Sequence, residues 1–182
     1  MRPVAGVTYS AIQLPIAIGT NHKTIQHMLQ RIQSVYLLLA GLLIFALFLF
    51  PVAHNVYINS VPSTISVTGV YQDVNGVQVH TQSFVALIAG TAIVGVLPFI
   101  LIFLYKNRKQ QIMYCYLYIV AIIGYSFWMV QTVKSAVGSL ELTTKNFGIG
   151  ALLSSISIIL VIMAVKGIQR DEKLIKSADR LR

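Results

Sequence analysis

A chain of 182 residues with 56% hydrophobic and only 10% charged residues, and a mean hydropathy of +0.75, is excluded from the ordinary soluble class, where about a quarter of residues are charged. Its net charge of +9 does not point to nucleic acid, because the basic residues flank apolar runs instead of sharing a face with exposed aromatics. One cysteine, Cys115, excludes an intramolecular disulfide and a multi-cysteine metal site, and its place early in an apolar run makes it a small buried residue.

Residues 1–27 are interrupted by Pro3 and Pro15, and their apolar piece, residues 11–19, is too short to span a bilayer. They read as a poorly ordered extension or an over-early start, with Met28 as an alternative initiator and residues 28–182 as one four-span membrane domain. From Val35 to Ala53 there is no charge and no amide, which predicts a first span over residues 35–53, with Pro51 where the helix leaves the hydrocarbon. A cleaved signal peptide is the competing reading. The run exceeds the usual apolar region of about 7 to 15 residues, and no small-x-small site follows it.

Residues 54–83 contain no Lys or Arg and one acid, Asp73, as expected of an external loop. Ile65, Val67, Val74, Val77 and Val79 alternate with polar residues, and Asn75-Gly76 supplies a two-residue turn, so a small β-hairpin is predicted. His54 and His80 lack a clear third ligand and read as structural. A second span, residues 84–105, carries Ala86, Gly90 and Gly95 as close-packing positions and Pro98 as a kink. The basic turn of Lys106, Arg108 and Lys109 leads to a third span, residues 112–133, with Tyr105, Tyr114, Tyr116 and Tyr118 near one end and Trp128 towards the other. After a connection containing Lys134, Glu141 and Lys145, a fourth span, residues 147–165, begins with Gly148, Gly150 and Ala151, followed by Ser154, Ser155 and Ser157 as packing residues.

The tail, residues 166–182, places Leu174, Ala178 and Leu181 at helical spacing and pairs Glu172 with Lys176, which predicts a short amphipathic helix. The predicted fold is therefore all-α membrane: four transmembrane helices, a β-hairpin in the first external loop and an amphipathic C-terminal helix. Twelve Lys and Arg fall on the side of the two termini and the middle turn, and two on the other, so both termini are expected in the cytoplasm.

The segments MLQRIQSVYLLLA, residues 28–40, and DEKLIKSADRLR, residues 171–182, with Arg108 and Lys109 between them, resemble a bacterial family of four-span membrane proteins catalogued as domain of unknown function 4293. The resemblance implies an architecture and an inner-membrane location and carries over no catalytic residue.

None of the four predicted spans contains an ionisable residue of the kind that marks proton relays and ion pathways. An enzyme would need a nucleophile, an acid–base pair or a metal cluster, and Glu141 and Asp73 stand alone in sequence. No catalytic site, metal site or cofactor is expected. Gln131 and the serines of the fourth span are weak candidates for a small transporter or channel component. The favoured expectation is a non-enzymatic accessory or scaffold subunit. Its partners would be the lipid bilayer and other membrane proteins, or a second copy through small-residue helix faces, and not nucleic acid. Asp171, Glu172, Asp179 and Arg180 are the candidate partner contacts, because acids weaken attraction to lipid but can pair with basic groups on a protein.

Overall fold

The computed structural model describes residues 22–58, 61–74, 76–104, 107–138 and 146–180, with side chains from residue 32 onward in the first helix and through residue 173, plus Ser177, in the last. The elements in chain order are α1 (His22–Ala46), β1 (Ala53–Ile58), β2 (Val61–Ser66), β3 (Gly69–Val74), β4 (Val77–Ser83), α2 (Val85–Phe103), α3 (Arg108–Val137) and α4 (Ile149–Arg180). The fold is mostly helical, with one small antiparallel sheet. Three helical stretches, Val85–Phe103, Arg108–Val137 and Ile149–Lys173, are long and apolar enough to cross a membrane. Residues 1–21, and with them most of the predicted extension, lie outside the described residues.

Burial follows a seam of alternating three- and four-residue steps, the pattern by which helices pack nearly antiparallel with side chains interdigitated. On α1 the buried seam runs Gln33, Leu37, Ala40 and Ile44, with Leu47 continuing it just past the helix end; on α3 it runs from Gln111 through Cys115, Tyr118, Ile122, Tyr125, Met129 and Val133 to Val137. Adjacent helices run in opposite directions. Along α1 and α4, Gln33 meets Gly167, Ala40 meets Ser157, and the link after α1 meets Gly150. Between α1 and α2, Gly41 faces Pro98 and Phe99, and Phe45 fills the space over Gly95. Gly90 lies under the Trp128 ring, whereas Ala86, also expected to pack, is exposed.

The first helix differs from its expected bounds. It begins upstream, at His22, and ends at Ala46, with residues 47–50 in turns. Two effects stop it. Pro51 disfavours helical backbone at the residue before it, and the sheet captures the residues beyond the proline: Val52 N–H donates to Ile65 O at 2.8 Å, and Ala53 pairs with Ile65.

The expected single hairpin is a four-stranded meander in the order β1-β2-β3-β4, so the chain is not all-α. The hairpin at its predicted place is β3–β4: Gly76 has φ +81° and its N–H donates to Asp73 Oδ1 at 2.9 Å, while Asn75 lies outside the described residues. Its two additional strands surround Pro62, which is tolerated because it comes second in β2, at the strand's beginning. Val56, Ile65 and Val70 turn inward to extend the helical core into the sheet. The helix expected in the tail continues directly from the last apolar run: α4 extends without a break through residues 149–180.

Candidate functional site

The candidate contact residues sit at the end of the bundle where α1 starts and α4 finishes. On α4 the seam continues Ser157, Val161, Ala164, Ile168, Asp171, so Asp171 occupies an inward position and is only 6% exposed. Opposite it, Gln33 is the matching seam residue of α1, and its Nε2–H donates to Asp171 Oδ2. Gly167 makes room for the pair: a Cβ there would lie 3.0 Å from Gln33 Cγ. The second carboxyl oxygen, Oδ1, is buried with no partner. Chemically this is an internal latch that fixes α1 against α4, not a surface offered to another protein.

Glu172, about 100° further round the helix, faces away from that seam. With Asn107, Arg108, Lys109 and Gln110 at the start of α3, it borders an open groove of about 440 Å³. The structure thus separates two of the four expected contact residues, turning Asp171 inward and Glu172 towards this groove. Asp179 and Arg180 belong to the last turn of α4, and their side chains lie outside the described residues.

Several polar ties between helices are invisible to composition. Thr91 Oγ1 and Tyr125 Oη are 2.6 Å apart between α2 and α3. Gln111 Nε2–H donates to Leu101 O at 3.0 Å, Ser157 O–H to Ala40 O at 3.1 Å, and Gln169 Nε2–H to Tyr116 Oη at 3.1 Å. The signal that could have found Gln33, Gln111 and Ser157 is their place in the seam, not their residue type. Gln131, a weak channel candidate, is exposed on the outer face of α3. Among the described residues no three His, Cys, Asp or Glu side chains converge as metal ligands. Cys115 is buried, and the ring of exposed His80 lies tilted against that of its cross-strand neighbour Tyr71, centroids 4.9 Å apart.

The bare element at the opposite end is β4. All seven of its residues are exposed, it is an edge strand, and its sequence VQVHTQS contains neither Lys nor Pro. The other edge, β1, is covered: Ala53 bridges to Phe147, Gly148 N–H donates to Val52 O at 2.8 Å, and Asn146 Nδ2–H donates to Asn55 O at 2.8 Å.

Comparison with curated proteins finds no match. A family profile does match, over residues 29–181, which takes in α1 from residue 29 onward, the sheet and the other three helices. The chain belongs to the family described as Domain of unknown function (DUF4293).

Proposed function

We propose that this is a four-span protein of the bacterial inner membrane, with both termini cytoplasmic, acting as a non-enzymatic accessory or scaffold subunit for other membrane proteins. The observation that carries the binding role is the unprotected β4 edge. Edge strands expose unpaired backbone N–H and C=O groups, and proteins ordinarily guard them with charge, proline or a covering segment. Here one edge is covered by residues 146–148 and the other is open, neutral and flanked by exposed Val74, Val77 and Val79. The partner is an extended segment of another membrane protein that adds a strand to β4. At the far end, Glu172, Asp179 and Arg180 form the second contact surface, Asp171 being occupied within the bundle.

The fourth crossing is supported by the apolar part of α1, Ile32–Ala46, which extends roughly 22 Å, runs on into the apolar residues 47–50 and lies antiparallel to the membrane-length helix α4. Orientation is supported by Arg108, Lys109, Lys166, Arg170 and Lys173 at one end, against Lys134 at the sheet end among the described residues.

Two experiments test these readings. With Cys115 replaced by Ser, cysteines at Gln26 and Ser177 are expected to react with a membrane-impermeant thiol reagent only after lysis, and one at Thr81 from outside. Labelling of Gln26→Cys from outside would reduce the spans to three, and reversal of all three positions would overturn the orientation. Val79→Lys, an exposed change on the open edge, is expected to leave insertion intact and to abolish recovery of whatever membrane protein co-purifies with the wild type in mild detergent. Unchanged recovery rejects the edge as the docking element.

A further inference from the structure

The outer face of the sheet borders a groove that the core does not use. Alternation along the strands decides its polar wall. Ile65 and Val70 turn inward and are buried, so Thr64, Ser66 and Tyr71 turn outward, with Thr64 directly opposite Tyr71. On β4, Gln78 shares that face, two residues before His80, the partner of Tyr71. The facing wall is the end of the apolar run that starts in α1: Phe48, Leu49 and Pro51. Between them lies about 330 Å³ of space, within the roughly 300–1,000 Å³ of small-molecule sites. Both walls can be reached from outside: Thr64, Ser66 and Tyr71 are half-exposed, Gln78 is exposed, and Leu49 is 81% exposed.

The chemistry of the walls narrows the occupant. No charged side chain and no histidine lines the groove, so a phosphate or carboxylate would sit beside apolar side chains with no counter-charge, which is costly. Hydroxyls and a primary amide both donate and accept hydrogen bonds, which matches an uncharged group that is itself rich in hydroxyls. Tyr71 is already fixed for such a contact: its Oη is 2.9 Å from Thr68 Oγ1, and its ring centroid is 4.9 Å from that of His80. A side chain held in this way loses little further freedom on binding. The opposite wall suits an alkyl chain, because Leu49 and Phe50 are exposed where the apolar run ends and a membrane protein meets lipid.

We propose that this groove binds the uncharged sugar headgroup of a membrane lipid. The sugar hydroxyls bond to Thr64, Ser66, Tyr71 and Gln78, and the first part of the alkyl chain runs along Phe48 and Leu49 into the bilayer. The assignment rests on the membrane reading of the bundle, but not on its orientation or on strand addition at β4.

Leu49 supplies the readout, since it is exposed in the groove and Leu49→Met conserves volume. The full-length Leu49→Met protein is labelled with ¹³C at the methionine methyls and placed in phosphatidylcholine nanodiscs, both faces of which are open to the titrant. Octyl glucoside, below its micelle concentration, is compared with octyl phosphocholine, which has the same chain and a charged headgroup, and with free glucose. The introduced methyl signal is expected to shift saturably with octyl glucoside. With octyl phosphocholine it should follow only gradual partitioning, as exposed Met113 and Met163 do with both amphiphiles. Thr64→Val and Tyr71→Phe each delete one hydroxyl at nearly constant shape. Each is expected to weaken octyl glucoside binding about three- to tenfold, the worth of one net hydrogen bond. Failure to enter the nanodisc would reject the membrane reading itself. With the protein inserted, no saturable shift, equal affinity for the two amphiphiles, or an affinity unchanged in both hydroxyl variants would overturn the sugar site. Saturation by glucose alone at the same affinity would overturn its assignment to a lipid.

Discussion

Gln33→Leu alone is expected to destabilise the bundle more than Gln33→Leu together with Asp171→Leu. The single change strands a buried carboxyl whose other oxygen already has no partner. Asp171→Leu alone likewise strands the Gln33 amide. A buried group that loses its partner costs about 1–3 kcal/mol, and more when it is charged, whereas replacing both partners by apolar groups of similar shape can be nearly neutral. The double variant simply extends the apolar seam of Leu37, Ala40, Val161, Ala164 and Ile168 by one further layer. Equilibrium unfolding of the two single variants and the double variant in mixed micelles measures the coupling. Independent, additive losses would show that Gln33 and Asp171 do not act as a latch.

The second large effect is expected at the other end of α4. A Cβ on Gly150 would sit 2.7 Å from Pro51 O and 2.9 Å from Pro51 C. These are backbone atoms, which cannot turn aside as a side chain can. The same crossing is tied by Gly150 N–H to Pro51 O at 3.0 Å and by Gly148 N–H to Val52 O at 2.8 Å, and Val52 is in turn bonded to β2. Gly150→Val therefore pushes the link between α1 and the sheet off the start of α4. The expected loss is about 1–3 kcal/mol from overpacking, or more because these hydrogen bonds go with it, with the sheet becoming sensitive to protease. Gly124 is the control: it is exposed on α3, and a Cβ there would meet nothing within 4 Å. Gly124→Ala should be neutral or stabilising by up to about 1 kcal/mol, the propensity difference in a helix interior. Equal effects at Gly150 and Gly124 would refute the steric account.

The membrane-length character of α2, α3 and α4 was legible because it is a local property: unbroken apolar runs of sufficient length can satisfy backbone polarity in lipid only as helices or closed barrels. The β3–β4 turn was legible for the same reason, since Gly76 needs its left-handed backbone whatever lies around it. Asp171 is misplaced when the tail is read apart from the span. Leu174 and Ala178 look like a new amphipathic stripe, yet the three- and four-residue steps from Ser157 reach Asp171 before them, so the acid belongs to the same seam.

By itself, then, the sequence determined three helices able to cross a membrane, one tight turn, the uneven distribution of basic residues and the membership of a family. Tertiary structure decided where α1 stops, because Val52 and Ala53 leave the apolar run only when Ile65 is present to pair with them. It decided that β1 and β2 exist, since short strands around Pro62 gain their stability from neighbours on both sides and from burial of Val56 and Ile65. It also decided which small residues matter, because Gly90 and Gly95 are each filled by a ring from another helix while Ala86 is exposed. In each case the deciding contact joins residues far apart in the chain, and its energy comes from the partner's position, which local propensity and periodicity do not contain.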